Sequence, residues 1–257
     1  MCKECGCGLG GGPVQIGGHS HNHDHSHGHS HDHHHSHAPT TFTLDVNRSL
    51  MEKNDRLAER NRGFFKAKKL LVLNVVSSPG SGKTTFIRET AIQLAGKLRV
   101  GVIVGDLATD NDAARLKTAG IPVIQITTGT VCHLDADMIS KAAAQLDLDK
   151  VDVLVIENVG NLVCPADYDL GEDLRVVLLS TTEGEDKPLK YPPMFHSAQV
   201  AIVTKSDMAA AAGFNRELAF ANLRRVSHHA HVFELSAKTG DGMKGWLDYL
   251  REQQGKV

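Results

Sequence analysis

The chain has 257 residues, room for one large domain or two small ones. Lys and Arg total 28 and Asp and Glu 30, a net charge of −2, so neither a basic nucleic-acid binder nor a wholly acidic, unfolded chain is indicated. Apolar residues make up 41 %, enough for a sizeable core, but no run approaches the ~20 that a bilayer span needs and no signal-peptide core opens the chain, so a cytoplasmic protein is predicted.

Residues 1–40 carry 11 of the 16 histidines and three of the five cysteines. Gly, His, Ser and Asp alternate there, with too little apolar surface to offset the entropy of ordering. This segment is predicted to be a disordered, metal-binding tail. Cys2, Cys5 and Cys7 are too few and too crowded for a disulfide framework and read as metal ligands in a reducing compartment. Three sulfurs with the terminal amine, or with one outside ligand, make a four-coordinate site. Square-planar geometry suits Ni²⁺ and tetrahedral geometry Zn²⁺, and the residues alone leave both open. His19, His21, His23, His25, His27, His29, His31, His33, His34, His35 and His37 form a second store. They are interleaved with Ser, Asp, Asn and Gly, unlike an uninterrupted purification tag. A flexible chain can wrap several imidazoles around one ion. Because they must be neutral to bind, uptake should weaken below about pH 6.5.

Residues 41–69 form a second unit. A helix is predicted over 45–69, with Leu50, Leu57 and Phe64 recurring every seven residues. The expected role of this stripe is packing on the main domain, and docking of a partner is the alternative.

Residues 70–257 read as one α/β domain. Strands are predicted at 71–76, 100–104, 123–126, 153–156, 176–180, 200–203 and 232–235, several of them unbroken Val/Ile/Leu runs typical of strands covered on both faces. Helices are predicted at 84–97, 110–119, 134–146, 215–226 and 243–253. Strand–helix alternation implies a mostly parallel sheet flanked by helices, with right-handed crossovers.

The first strand runs into Ser77-Ser78-Pro79-Gly80-Ser81-Gly82-Lys83-Thr84-Thr85, a P-loop between strand and helix. Gly80 and Gly82 let backbone N–H groups, with those of Ser81 and Thr85, face phosphate oxygens at a helix N-terminus. Lys83 supplies charge to the β- and γ-phosphates, and Thr84 offers a hydroxyl to Mg²⁺. The strict pattern has Gly where Ser77 stands. Asp106 and Glu157 fall at strand ends, where α/β sheets bind ligands; they are expected to hold Mg²⁺ or orient the attacking water, with Lys83 and Asp106 as the catalytic pair.

Thr204-Lys205-Ser206-Asp207 and Ser236-Ala237-Lys238 follow the sixth and seventh strands. A carboxylate at Asp207 can accept from both N1–H and the amino group of guanine, whereas adenine presents an acceptor there. The mismatch costs on the order of 1–3 kcal/mol. The Lys205 stem can cover the base, and the Ala237 N–H can meet the guanine carbonyl. The usual motif has Asn where Thr204 stands. Cys132, His133 and Cys164 also follow strands and can meet at the carboxyl edge of the sheet. A metal site and an ordinary buried Cys–His contact are both open there.

Taken together, the Cys-x-x-Cys-Gly-Cys start, the His tract, the P-loop, Cys132-His133-Leu134-Asp135-Ala136, Glu157-Asn158-Val159-Gly160-Asn161-Leu162-Val163-Cys164-Pro165 and Thr182-Glu183-Gly184-Glu185-Asp186-Lys187-Pro188-Leu189-Lys190-Tyr191-Pro192 resemble the HypB family, SIMIBI-class P-loop GTPases that help insert nickel into NiFe-hydrogenase. The resemblance spans essentially the whole chain. It implies GTP and Mg²⁺ as cofactors, nickel bound by the tail, and nickel or zinc at Cys132/His133/Cys164. It also implies a nucleotide- or metal-linked homodimer, a HypA-type metallochaperone as partner, and delivery to the hydrogenase large subunit directly or through a complex. The alternative function is a nickel or zinc store with a secondary nucleotide domain.

Overall fold

A computed structural model describes residues 41–107 and 110–257, with side chains from residue 48 onward. The expectations for Cys2, Cys5, Cys7 and the tract His19–His37 lie outside the described residues.

Helix α1 (Thr41–Ala67) leads into β1 (Leu71–Ser77). There follow α2 (Lys83–Leu94), β2 (Val100–Asp106), α3 (Asn111–Thr118), β3 (Val123–Thr127), α4 (Ala136–Ala143) and β4 (Val153–Glu157). The second half holds β5 (Leu174–Ser180), α5 (Lys187–Lys190), α6 (Pro192–Ser197), β6 (Val200–Thr204), α7 (Arg216–Val226), β7 (His231–Glu234) and α8 (Met243–Gln254). All seven predicted strands exist and pair in parallel, in the order β3-β2-β4-β1-β5-β6-β7. Helices α5 and α6 are additions to the predicted elements. Their Pro-rich stretch, Lys187-Pro188 and Pro192-Pro193, reads as loop, but Pro is tolerated in the first turn of a helix, where it stands in both cases.

One face of the sheet packs Leu71, Leu73 and Val75 of β1 against Phe86 and Leu94 of α2, Leu116 of α3 and Trp246 and Leu250 of α8. The other face is divided. Val72 belongs to a cluster with Phe65 of α1 and Ile139 of α4, whereas Val76 belongs to one with Met194 and Phe195 of α6 and Leu223 of α7. Between them on β1 stands Asn74, fully buried.

Helix α1 corrects the sequence expectation. Leu50 and Phe64 of the heptad stripe are 54 % and 47 % exposed, and the face that packs is Asn54, Ala58, Asn61 and Phe65. The two asparagines dock the helix by hydrogen bonds. Asn54 Nδ2 donates to Asp169 O and its Oδ1 accepts from Ala136 N, while Asn61 Nδ2 donates to Ala136 O and Leu170 O. A search for apolar periodicity passes over such a face.

Candidate functional site

Two cavities adjoin at the carboxyl ends of the central strands, sharing Gly82 and Thr85 of the loop between β1 and α2. The larger, about 450 Å³, is lined by Gly80, Lys83, Thr84, Asp106, Asp112, Arg115, Glu157 and Gly160 among others. Strand β1 lies at the point where the connections diverge to either side of the sheet, the position at which such sheets bind ligands. Gly80 and Gly82 have φ of +76° and +94°, so the loop turns through a region that disfavours any side chain.

Ser77, standing where the strict pattern has Gly, is fully buried. Its hydroxyl accepts from Lys83 Nζ at 3.0 Å and from Ser81 Oγ, and it donates to Ser78 O. Burial holds the Lys83 ammonium below its ordinary pKa despite the nearby Glu157, and a phosphate beside it would favour the charged form. Thr84 Oγ1 donates to Glu157 Oε1 at 2.7 Å. Glu157 is 2 % exposed and its Oε2 is buried without a hydrogen-bond partner. Burial pushes its carboxyl up to about 7, with Thr84 and Lys83 only partly opposing. A hydroxyl, a buried carboxylate with an orphaned oxygen and Asp106 in one cavity fit a divalent cation bound by oxygen. Asp112 and Arg115 also line this cavity, and sequence reasoning missed them because an acid and a base three apart read as an ordinary exposed helix pair.

The smaller cavity, about 250 Å³, is lined by Ser81, Thr85, Phe86, Thr204, Lys205, Asp207, Met208, Ser236, Ala237 and Lys238 among others. Every residue singled out for the base therefore lines it. Asp207 Oδ1 accepts from Ser236 Oγ at 2.7 Å, and that hydroxyl also accepts from the N–H groups of Lys238 and Thr239. Lys205 Nζ donates to Gly80 O at 2.7 Å. Thr204, which replaces the usual Asn, donates through Oγ1 to Ser81 O at 3.1 Å. Its hydroxyl thus ties the base loop to the phosphate loop.

Cys132, His133 and Cys164 converge, with one candidate ligand atom from each lying within 4.8 Å of the others. The two cysteines are not joined in a disulfide, and Cys132 Sγ donates to Cys164 Sγ at 2.8 Å. His133 is 5 % exposed, its Nδ1 is buried without a hydrogen-bond partner, and its ring stacks on Tyr168 with centroids 3.8 Å apart. Burial holds the imidazole below its ordinary pKa, which keeps it neutral and able to ligate. Two sulfurs and one buried, orphaned nitrogen form a soft donor set for Ni²⁺ or Zn²⁺. Asn161 Nδ2 donates to Cys132 O, joining the two ligand-bearing segments. Leu134, the residue after His133, lies close against β2: a Cβ on Gly105, next to Asp106, would fall 2.7 Å from its side chain. Neither Tyr168 nor Asn161 carries a recognisable ligand signal in the sequence.

The CobW/HypB/UreG nucleotide-binding domain family matches residues 71–234. The hydrogenase maturation factor HypB of Escherichia coli K12 is 51 % identical over 211 residues, covering 82 % of this chain and 73 % of that protein. The HypB protein of Azotobacter vinelandii is 50 % identical, covering 82 % and 70 %. Among solved structures, HypB from Helicobacter pylori in complex with nickel matches with a TM-score of 0.76 at 40 % identity, covering 79 % of this chain and 96 % of that one. HypB from Archaeoglobus fulgidus matches with a TM-score of 0.74 at 37 % identity, covering 79 % and 99 %. With the P-loop, the base cavity and the Cys/His cluster all on one sheet edge, the chain belongs to the CobW/HypB/UreG family and, within it, to the HypB hydrogenase maturation factors.

Proposed function

We propose that the protein is a GTPase that binds nickel and delivers it during maturation of NiFe-hydrogenase. The observation that carries this reading is a single segment after β4. It begins at Glu157, which is hydrogen-bonded to Thr84 of the P-loop, and seven residues later reaches Cys164, beside Cys132 and His133. Movement at the phosphate end therefore reaches a soft metal site through one short loop.

In this reading Gly80, Ser81, Gly82 and Thr85 cradle the phosphates and Lys83 neutralises them. Thr84, Asp106 and Glu157 would hold Mg²⁺, which supplies charge stabilisation to the phosphoryl transfer when bound. Asp106 also orients the attacking water. Asp207, Lys205, Ser236, Ala237 and Lys238 select guanine. Nickel is the cargo of the inner cluster, with zinc as its competitor, and residues 1–40 supply the tail sites. The division is a tail at 1–40, a helical segment at 41–69 and a GTPase domain at 70–257. A homodimer linked by nucleotide or metal, a HypA-type metallochaperone and the hydrogenase large subunit complete the expected assembly, in the cytoplasm. Among the described residues no helix is long and apolar enough to cross a membrane.

GTP and ATP turnover by the full chain test the enzyme assignment. GTP should be the preferred substrate, Lys83→Ala should nearly abolish turnover, and Asp106→Asn should slow the chemical step more than it weakens binding. Unchanged turnover in Lys83→Ala would refute it. Deleting residues 19–37 separates delivery from storage. A delivery GTPase keeps hydrogenase maturation at ample nickel without them.

A further inference from the structure

The polar seam on the second face of the sheet has no part in the function as derived so far. Asn74 on β1 and Arg175 on β5 are direct neighbours in the parallel register, in the middle of an otherwise apolar face. Polar groups so placed cost stability unless hydrogen-bonded, and each of these has a partner. Asn158 Nδ2 donates to Asn74 Oδ1 at 3.1 Å, and Asn74 Nδ2 donates to Glu172 Oε1 at 3.0 Å. Arg175 Nε donates to the same Glu172 oxygen at 3.1 Å, and Leu170 N donates to Glu172 Oε2. Asn158, Asn74, Glu172 and Arg175 are 1 %, 0 %, 8 % and 7 % exposed.

The two ends of this seam are the two candidate sites. Asn158 directly follows Glu157. At the other end, Arg175 spends its remaining donors on the metal-site segment. Nη1 reaches Ala166 O at 2.9 Å and Ser197 Oγ at 2.9 Å, and Nη2 reaches Tyr168 O at 2.7 Å. Ala166 closes the turn that begins at Cys164, and the Tyr168 ring lies on His133. The planar guanidinium thus fixes the backbone on both sides of Asp167, holding Cys164 toward Cys132 and Tyr168 over His133. A lysine could not form this fork.

We propose that Asn158, Asn74, Glu172 and Arg175 form a buried relay between the nucleotide cleft and the Cys132/His133/Cys164 cluster, and that Arg175 is the positioning residue of that cluster. The relay leaves the 157–164 segment at Asn158 and reaches the cluster by a second route, through Asn74 of β1, Glu172 and Arg175 of β5. It makes the metal cradle sensitive to the position of Asn158, and hence to what Glu157 binds. This inference rests on the nickel reading above.

The test uses the full chain with Cys2, Cys5 and Cys7 changed to Ser. The sulfur-to-nickel charge-transfer band then reports only Cys132 and Cys164, and the His tract adds nothing to it. Nickel Kd is measured with GDP and with a non-hydrolysable GTP analogue in this chain, in Asn74→Leu and in Arg175→Lys. The unsubstituted relay should give Kd values that differ between nucleotides by about 5–150-fold, the usual range of coupling between sites. Arg175→Lys, which keeps the charge beside Glu172, should weaken nickel about 10–100-fold, as loss of a supporting partner does at metal sites. Asn74→Leu should bind nickel but reduce the nucleotide ratio to less than about twofold. Equal nickel affinity in Arg175→Lys, or an undiminished ratio in Asn74→Leu, overturns the relay and leaves the nickel reading intact. Absence of the band in the starting chain overturns the nickel reading and the relay with it. If Asn74→Leu fails to fold, Arg175→Lys decides.

Discussion

Thr84 and Glu157 meet at 2.7 Å, hydroxyl to carboxylate, from the first turn of α2 and the last residue of β4. The second oxygen of that carboxylate is buried with no hydrogen-bond partner. An acid in this position resists ionising until a cation joins it, which makes the nucleotide cleft sensitive to pH when empty.

The sign follows from the raised value of about 7 for Glu157 against an ordinary 4.5. Between those values the folded state holds a proton that the unfolded chain has released, so stability falls as pH rises through this window. The full penalty is about 3 kcal/mol, since each tenfold change in proton affinity is worth ~1.4 kcal/mol. It is present above pH 7 and absent below 4.5. Melting temperature against pH, without nucleotide, should therefore decline from about pH 5 to 7 more steeply in the parent than in Glu157→Gln. Mg²⁺ with GTP should restore the parent more than the variant. Identical pH profiles for the two metal-free proteins would contradict the burial argument.

Asp207→Asn should lower GTP affinity tenfold to a hundredfold, on the order of 1–3 kcal/mol. It should also improve xanthosine triphosphate relative to GTP, because an amide can donate to the carbonyl that replaces the amino group of guanine. Competition binding of the two nucleotides measures this. Unaltered GTP affinity would show that Asp207, though aligned by Ser236, does not read the base.

Helix α1 makes a prediction opposite to that of its apolar pattern. Asn61→Ala removes the donor shared by Ala136 O and Leu170 O and should cost about 1–3 kcal/mol in urea unfolding. Leu50→Ser, at a position 54 % exposed, should change stability by less than about 0.5 kcal/mol. The reverse ranking would return the docking role to the heptad stripe.

These cases mark what the sequence makes legible. The strands could be read because Val, Ile and Leu runs buried on both faces leave few other structures open. The P-loop and the base motifs could be read because their chemistry depends on local spacing. The Cys132/His133/Cys164 convergence was only half legible. Cys132 and His133 follow β3 and Cys164 follows β4, strands that β2 separates in the sheet, so their meeting depends on the paths of the two loops. The asparagine face of α1 and the seam of Asn74, Glu172 and Arg175 were not legible. Their partners are separated by as many as 115 residues, and single polar residues in apolar surroundings carry no periodicity. Ser77 and Thr204 read as departures from motif, yet each supplies a hydroxyl that the loop uses.

Nucleotide control of the inner metal site is the claim on which the proposed function most depends. The deciding measurement is nickel release to a chelator from the full chain, with GDP and with a GTP analogue. It compares the parent, the chain lacking residues 1–7, and Cys132→Ala combined with Cys164→Ala. Removing residues 1–7 should abolish the tightest nickel binding and leave GTP hydrolysis and the nucleotide effect on the inner site. The double-Cys variant should keep tight tail binding and lose the nucleotide effect. An equal nucleotide effect in the double-Cys variant and the parent would contradict that control.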